Sequence, residues 1–266
     1  MAFANIVRKF KTFTGMLTNG EILRYTYRQM KRIKPVSYSV DYIGRKTLGT
    51  ITHVITDEPV VALTFDGGPD PRWTPRILEV LARYNVPGTF FMIGKYAEQN
   101  PEIVNMVAER NHVIANHSWN HPGFPQISRK ERRRQIRLCS DALAPHEMKI
   151  FRAPYLDQSI GSRIDLFLMG YKVIAGNVKF HDERLEDPSI LYRNLIESIT
   201  PGSIVLLHDV SCMHRDSSRE VTIAALDELL KNTINKYQYL TLPELFEKGK
   251  PYKVNMYKTR DRPVVT

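Results

Sequence analysis

Residues 60–69 read Val60-Val61-Ala62-Leu63-Thr64-Phe65-Asp66-Gly67-Gly68-Pro69: an apolar, β-prone run that stops abruptly at a carboxylate, two glycines and a proline. A short continuous apolar run bounded by turn residues is the pattern of a strand buried on both faces, as in a parallel sheet. The same pattern recurs downstream at Thr89–Ile93, Val113–Ala115, Lys149–Phe151, Tyr171–Ala175, Ser203–Leu207 and Tyr237–Leu242. Helical spacing fills the gaps. Ile77, Leu81 and Tyr84 share a face, as do Ile103 with Val107, Ile136 with Cys139 and Leu143, and Ile223 with Leu226 and Leu230. Strand–helix alternation of this kind predicts an α/β fold with a parallel sheet, which periodicity alone leaves free to close or stay open.

The rest of the chain bounds the reading. Its 266 residues suit one large domain or one domain with an extension. Apolar residues make up 42% and charged residues 25%, which excludes a mainly disordered or fibrous chain. No apolar run approaches the roughly 18 residues of a membrane span. Cys139 and Cys212 are too few for a disulfide scaffold. Arg8, Lys9 and Lys11 interrupt the only apolar stretch at the N-terminus, so no secretory signal is read there, and a cytoplasmic or membrane-peripheral location is expected.

The net charge of +10 is uneven: residues 1–34 carry +7 and residues 248–266 carry +5, leaving −2 between them. The organisation expected is a basic N-terminal extension over 1–58, the strand–helix domain over 59–247 and a basic tail over 248–266. Nucleic acid is not an expected partner of the near-neutral middle. The basic ends suit an anionic membrane surface. Ile6, Phe10, Phe13 and Leu17 would share one helical face, which either lies in a membrane interface or docks on the domain. Co-sedimentation with anionic vesicles at low salt separates the two.

In parallel α/β folds reactive groups gather at the C-terminal ends of the strands. Following the runs above stand Asp66-Gly67-Gly68-Pro69, Asn116-His117-Ser118-Trp119-Asn120-His121, Arg152-Ala153-Pro154-Tyr155, His181-Asp182 and His208-Asp209. Acids, histidines and an arginine at several strand ends point to a functional site. On a helical turn, His117 and His121 at i, i+4 would face one metal ion; alternatively they are loop histidines. Asp66 can take a proton from water or cap a turn. His208, beside Asp209, can act as a general acid. Trp73, Trp119 and Phe124 could wall a sugar site or simply pack. The run Arg132-Arg133-Arg134, with Arg129, Lys130 and Arg137, reads as the wet face of an amphipathic helix. Cys212, near His214 and Arg215, reads as a passive thiol.

Together TFDGGPDPRWTP, NHSWNH, RAPY and LLHD resemble, in order and spacing, the polysaccharide deacetylase family with the NodB homology domain, carbohydrate esterase family four. The resemblance covers about residues 58–245. It implies a distorted, incomplete (β/α)7 barrel and removal of acetyl groups from an N-acetylated sugar or polysaccharide such as chitooligosaccharide or peptidoglycan. By motif, Asp66 would be the general base and Arg152 its orienting partner. The backbone N–H of Tyr155 would hold the oxyanion, and His208 would be the general acid. His117 and His121 would bind a divalent metal, Zn, Co or Ni.

Four positions depart from the family pattern. Gly67 stands where the family has a metal-ligating acid, which leaves two histidines and weakens the cation site. Compensating ligands would be His181, Asp182, Asp70 or Asp66; the alternative is an inactive pseudoenzyme that binds carbohydrate. Lys179 and Glu183 replace an acid and a tryptophan of a fourth motif, which retains Asp182 and puts the acid behind His208 in doubt. Leu156 stands where glycine is usual.

Overall fold

The structure is a computed structural model and describes residues 47–211 and 217–255. The helical stripe in residues 1–34, Cys212, His214 and Arg215 lie outside the described residues.

The quoted run forms β2 (Val60–Asp66), buried along its whole length. In chain order the remaining strands are β1 (Thr50–Ile55), β3 (Thr89–Met92), β4 (Val113–Asn116), β5 (Glu147–Phe151) and β6 (Lys172–Val173). Then follow β7 (Val178–Lys179), β8 (Ile204–His208), β9 (Gln238–Tyr239) and β10 (Lys250–Val254). The main sheet runs β6-β5-β4-β3-β2-β8-β7, all pairs parallel, with β9 pairing the start of β2. The helices between them include α1 (Thr74–Arg83), α2 (Gly94–Gln99), α3 (Pro101–Glu109), α4 (Arg129–Leu143), α5 (Ile160–Leu168), α6 (Pro188–Ser198), α7 (Glu220–Thr233) and α8 (Leu242–Glu247). The expected incomplete barrel is what forms. Its edges β6 and β7 do not pair; β1 spans the opening through bridges from Ile51 to Ile174 and from His53 to Ser203. Gly176, at φ 108°, makes the turn between those edges. A Cβ there would stand 3.0 Å from the Ile204 carbonyl oxygen, so this turn requires glycine.

Two features were not read from the sequence. Strand β10 pairs antiparallel with β1, so the last part of the expected extension and the first part of the expected tail form one ribbon. Its members alternate polar and apolar residues weakly, which left no clear periodic signal. Arg132 is the second. Far from lying on a wet face, it is buried and pairs with Asp165 of α5 at 3.1 Å, while Arg134 and Arg137 do face water. An arginine carries enough apolar stem to lie on the packed side of a helix when an acid receives its head group.

Period-two geometry explains what the barrel does with its side chains. On β2, Val61, Leu63 and Phe65 face the helices, in one cluster with Ile77, Leu81, Leu226 and Leu230. Val60 and Ala62 face inward, with Phe91, Ala115, Ile150, Ile174 and Ile204. Extending the inward parity to each strand end reaches Asp66 on β2, His117 past β4, Arg152 past β5 and His208 on β8. The inner apolar layer is therefore the floor on which the polar groups stand.

Candidate active site

Asp66 is 3% exposed and closes an ion pair with the fully buried Arg152, whose Nη1 donates to Asp66 Oδ1 at 2.5 Å and to Thr64 Oγ1 at 2.9 Å. The Arg152 guanidinium also lies over the Phe91 ring, 4.0 Å from its centre. A charge that deep is tolerated only because it is paired and hydrogen-bonded.

His117 and His121 do come together, but not on a helical turn. The segment is an irregular loop in which Ser118 and His121 have positive φ, and the two rings sit 4.8 Å apart at 61°. Hydrogen bonds replace the helix. Asn116 Oδ1 accepts from the Ser118 N–H, Gln135 Oε1 from those of Trp119 and Asn120, and Ser118 Oγ from that of His121. Asn116 was quoted in the motif without a role. An Asx-turn two residues before the loop bend was the signal available.

His117 Nδ1 donates to the Arg152 carbonyl at 2.9 Å, which leaves Nε2 as the open lone pair, 3.9 Å from Asp66 Oδ2. The His121 Nδ1 is buried without a hydrogen-bond partner. Burial, reinforced by neighbouring positive charge, pushes both imidazoles down to about 3, so both are neutral at ordinary pH. A neutral, desolvated imidazole with an open nitrogen is what a divalent cation takes as ligand. The residues present therefore fit a metal with two nitrogens and, nearby, one carboxylate already engaged by Arg152. Gly67 offers no ligand; its φ of 104° belongs to a backbone region that side chains avoid.

Among the other acids, Asp70 is turned to the Arg72 N–H and side chain. Asp182 is held by His208. Of the compensating candidates, only Asp66 and His181 border the cleft.

His208 Nδ1 meets Asp182 Oδ1 at 2.7 Å, and Asp182 Oδ2 accepts from the His208 N–H at 3.0 Å and from Thr222 Oγ1 at 2.8 Å. The acid behind His208 is thus present. It is Asp182, not the adjacent Asp209. Successive strand residues face opposite sides, so Asp209 turns to the outside of the barrel. There it accepts from the Gly68 N–H at 2.8 Å and from Thr74 Oγ1 at 2.7 Å, pinning the loop that follows Asp66. Asp182, Glu183 and His208 also lie close enough to share an ion. The hydrogen bonds to both Asp182 oxygens argue instead for an orienting network.

Burial opposes the charge on His208, yet Asp182 first, then Asp66 and Glu183, raise it to about 9. The protonated imidazole therefore stabilises the fold fully below about 6.5, its ordinary value, and this contribution fades as pH rises through about 9. In chelator-treated protein the melting temperature is expected to fall between those pH values more steeply in wild type than in Asp182→Asn. Parallel curves would show that the pair does not form.

The cleft over these groups has a volume of about 210 Å³, with Tyr155, Leu156, Lys179 and Leu206 among its lining. That is below the ~300–1,000 Å³ of most small-ligand pockets, and suits the acetamido edge of one sugar more than an enclosed ligand. Tyr155 is 59% exposed and meets His121 edge-on at 4.6 Å. It supplies an aromatic wall, and of the two readings open for Trp73, Trp119 and Phe124 the structure favours packing. Phe124 is fully buried against Phe151, and neither tryptophan reaches the cleft. Both Tyr155 and Leu156 have positive φ, which accounts for glycine being usual at the latter position. A larger cavity of about 520 Å³, lined by Pro59, Tyr84 and Tyr237, lies at the opposite strand ends and gathers no acid or histidine.

Residues 53–174 match the family model described as polysaccharide deacetylase. A peptidoglycan-N-acetylglucosamine deacetylase of Bacillus cereus is 32% identical over 200 residues, 73% of this chain and 70% of that protein. A chitooligosaccharide deacetylase of Sinorhizobium fredii is 34% identical over 193 residues, 69% of this chain and 89% of that protein. Among solved structures, a peptidoglycan N-acetylglucosamine deacetylase superposes with a TM-score of 0.73 at 27% identity, covering 79% of this chain and 99% of that one. A mutant of a CE4 family pseudoenzyme with restored enzymatic activity superposes at 0.64 with 25% identity, covering 75% and 72%.

Proposed function

Because this chain belongs to the polysaccharide deacetylase family, whose deacetylases are metal-dependent, we propose that its cleft hydrolyses the acetamide of an N-acetylated glycan with the residues described above. The observation that carries this reading is the convergence of Asp66, paired with Arg152, and His208, paired with Asp182, at neighbouring strand ends. Strands β2 and β8 pair directly, with Asp66 opposite His208. A base and an acid side by side are what amide hydrolysis needs.

Asp66 accepts the proton of the attacking water, held in place by Arg152. The Tyr155 N–H, on the turn bordering the cleft, donates to the oxyanion that develops on the acetyl oxygen. His208, kept protonated by Asp182, gives its proton to the departing amine, so that acetate and a free amino sugar leave. His117 and His121 would hold the cation, for which imidazole ligands favour Zn, Co or Ni. Bound there, it would supply Lewis acidity toward the attacking water and the acetyl carbonyl. Release of acetate from N-acetyl chitooligomers with added Zn²⁺ or Co²⁺ tests the reading. No acetate from any N-acetylated glycan under those conditions refutes it.

The pseudoenzyme reading rests on Gly67 and on the altered fourth motif, and one substitution at the first of these separates the two. Gly67→Asp is expected to tighten divalent-cation binding by about 10-fold or more, since it adds a charged ligand. The φ of 104° makes the same change cost about 1–3 kcal/mol of stability without metal. Calorimetric titration and melting with and without Co²⁺ read both effects. Unchanged affinity would place residue 67 outside the cation's reach.

A further inference from the structure

One buried carboxylate takes no part in the proposed reaction. The Glu147 side chain, at the start of β5, is only 5% exposed. Its Oε1 accepts from Asn116 Nδ2 at 2.8 Å and from the Tyr171 hydroxyl at 2.7 Å. Its Oε2 accepts from the Ser140 hydroxyl and from Lys149 Nζ, both at 2.6 Å. Burial opposes the charge, yet these donors hold the carboxyl below its ordinary range, so it is ionised at ordinary pH. Burying a carboxylate costs more than packing an apolar side chain in its place. The ion pair with Lys149 does not explain the cost, since that lysine keeps 53% of its side chain exposed and such pairs contribute little.

What the charge does is orient an amide. Glu147 stands opposite Ile114 in the β4–β5 ladder, so Asn116 is its diagonal neighbour. Asn116 is wholly buried, and its Nδ2 also donates to the Ile136 carbonyl on α4 at 3.1 Å. Turned over, the amide would face both the carboxylate and that carbonyl with an oxygen. Glu147 therefore keeps Oδ1 on the other side, where it receives the Ser118 N–H at 3.0 Å. Gln135 repeats the arrangement. Its Oε1 receives the N–H groups of Trp119 and Asn120, and its Nε2 donates to Glu131 Oε1 at 2.9 Å.

The loop needs such holding, because Ser118 at φ 69° and His121 at φ 60° occupy the left-handed region that side chains disfavour. His117 has anchors of its own, its N–H on the Met92 carbonyl and its Nδ1 on the Arg152 carbonyl. The His121 N–H is held by the Ser118 hydroxyl, so its place follows that of Ser118. We infer that Glu147 is a positioning residue for the histidine pair, acting through Asn116 and Ser118 and chiefly on His121. This deepens the cation site of the proposed function and rests on that reading for what the histidines hold.

Two variants of the full-length protein separate positioning from stabilisation. Glu147→Gln keeps the size and removes the charge that orients Asn116. Lys149→Met removes the exposed counter-charge and leaves the Asn116 bond in place. Amide hydrogen exchange, followed by NMR in metal-free protein, reads the loop itself. In Glu147→Gln the Ser118 and His121 amides are expected to lose about 10-fold in protection beyond any change at the β2 amides, which report global opening. Co²⁺ affinity, titrated calorimetrically, is expected to fall by about 10-fold, the lower end of what outer partners contribute at metal sites. Both quantities are expected to stay within about 2-fold in Lys149→Met, whose lost ion pair is half-exposed. If Glu147→Gln does not fold, Glu147→Asp, which keeps the charge but withdraws it by one methylene, is read with the same expectations. Unchanged protection in the Glu147 variant, unchanged affinity in a protein that does bind Co²⁺, or equal losses in the Glu147 and Lys149 variants overturns the inference. A wild type that binds no Co²⁺, with a loop that still loosens in Glu147→Gln, removes the cation reading and keeps the positioning role.

Discussion

Asp66→Asn is expected to lower kcat for acetate release by about 10²–10⁴-fold, the usual contribution of a positioned general base. Asparagine keeps the shape and one acceptor oxygen for Arg152, so the fold around the cleft is retained while the proton acceptor is lost. Because the remaining guanidinium then sits buried without its counter-charge, some stability is lost as well. The check is kcat measured at saturating metal, alongside circular dichroism to confirm the folded state. An Asp66→Asn enzyme within 10-fold of wild type would show that another group takes the proton. Asp209 is the other acid on this loop's contacts. It is raised to about 7 by burial, relieved in part by Thr74 and Gly68, but it faces the outside of the barrel.

Arg152→Met should be the most destabilising single change in the site, by about 3–5 kcal/mol. Removing one partner of a buried pair leaves the other charge without compensation. Methionine fills much of the space under Phe91 but donates nothing to Asp66 Oδ1 or Thr64 Oγ1. Urea unfolding measures the loss. Its origin is isolated by a double-mutant cycle: in the Arg152→Met background, Asp66→Asn should cost far less than alone, because the uncompensated carboxylate is gone. Additive costs would mean that the pair contributes no coupling, and that Arg152 matters only as packing.

Much of this site could be read before any coordinates. The inner parity of β2 is carried by Val60, Ala62, Thr64 and Asp66 themselves, and the glycines after Asp66 mark where the strand must stop. The same holds for His208 at the end of Ile204–His208. Strands buried on both faces announce themselves because neither face tolerates a charge. The ribbon β1–β10 announces nothing, since its buried positions follow no period-two pattern and its partners are about 200 residues apart in the chain. A contact of that separation leaves no local pattern.

Chain order and residue type dictated the α/β architecture, the strand ends that carry chemistry, and the two histidines that share a neighbourhood. Those follow from local rules: period two along a strand, period 3.6 along a helix, and glycine where the backbone must turn. What long-range packing alone settled was partnership. His208 stands beside Asp209 in sequence but pairs with Asp182, 26 residues away, because neighbouring strand residues point to opposite sides. Arg132 looks like one of a solvated run, and the acid that draws it inward is Asp165 on another helix. His117 and His121 have helical spacing, yet Asn116 and Gln135 hold them in a loop. Each of these depends on which groups the fold brings within about 3 Å, and hydrogen-bond energy falls away over that same distance, so sequence neighbours carry no information about it.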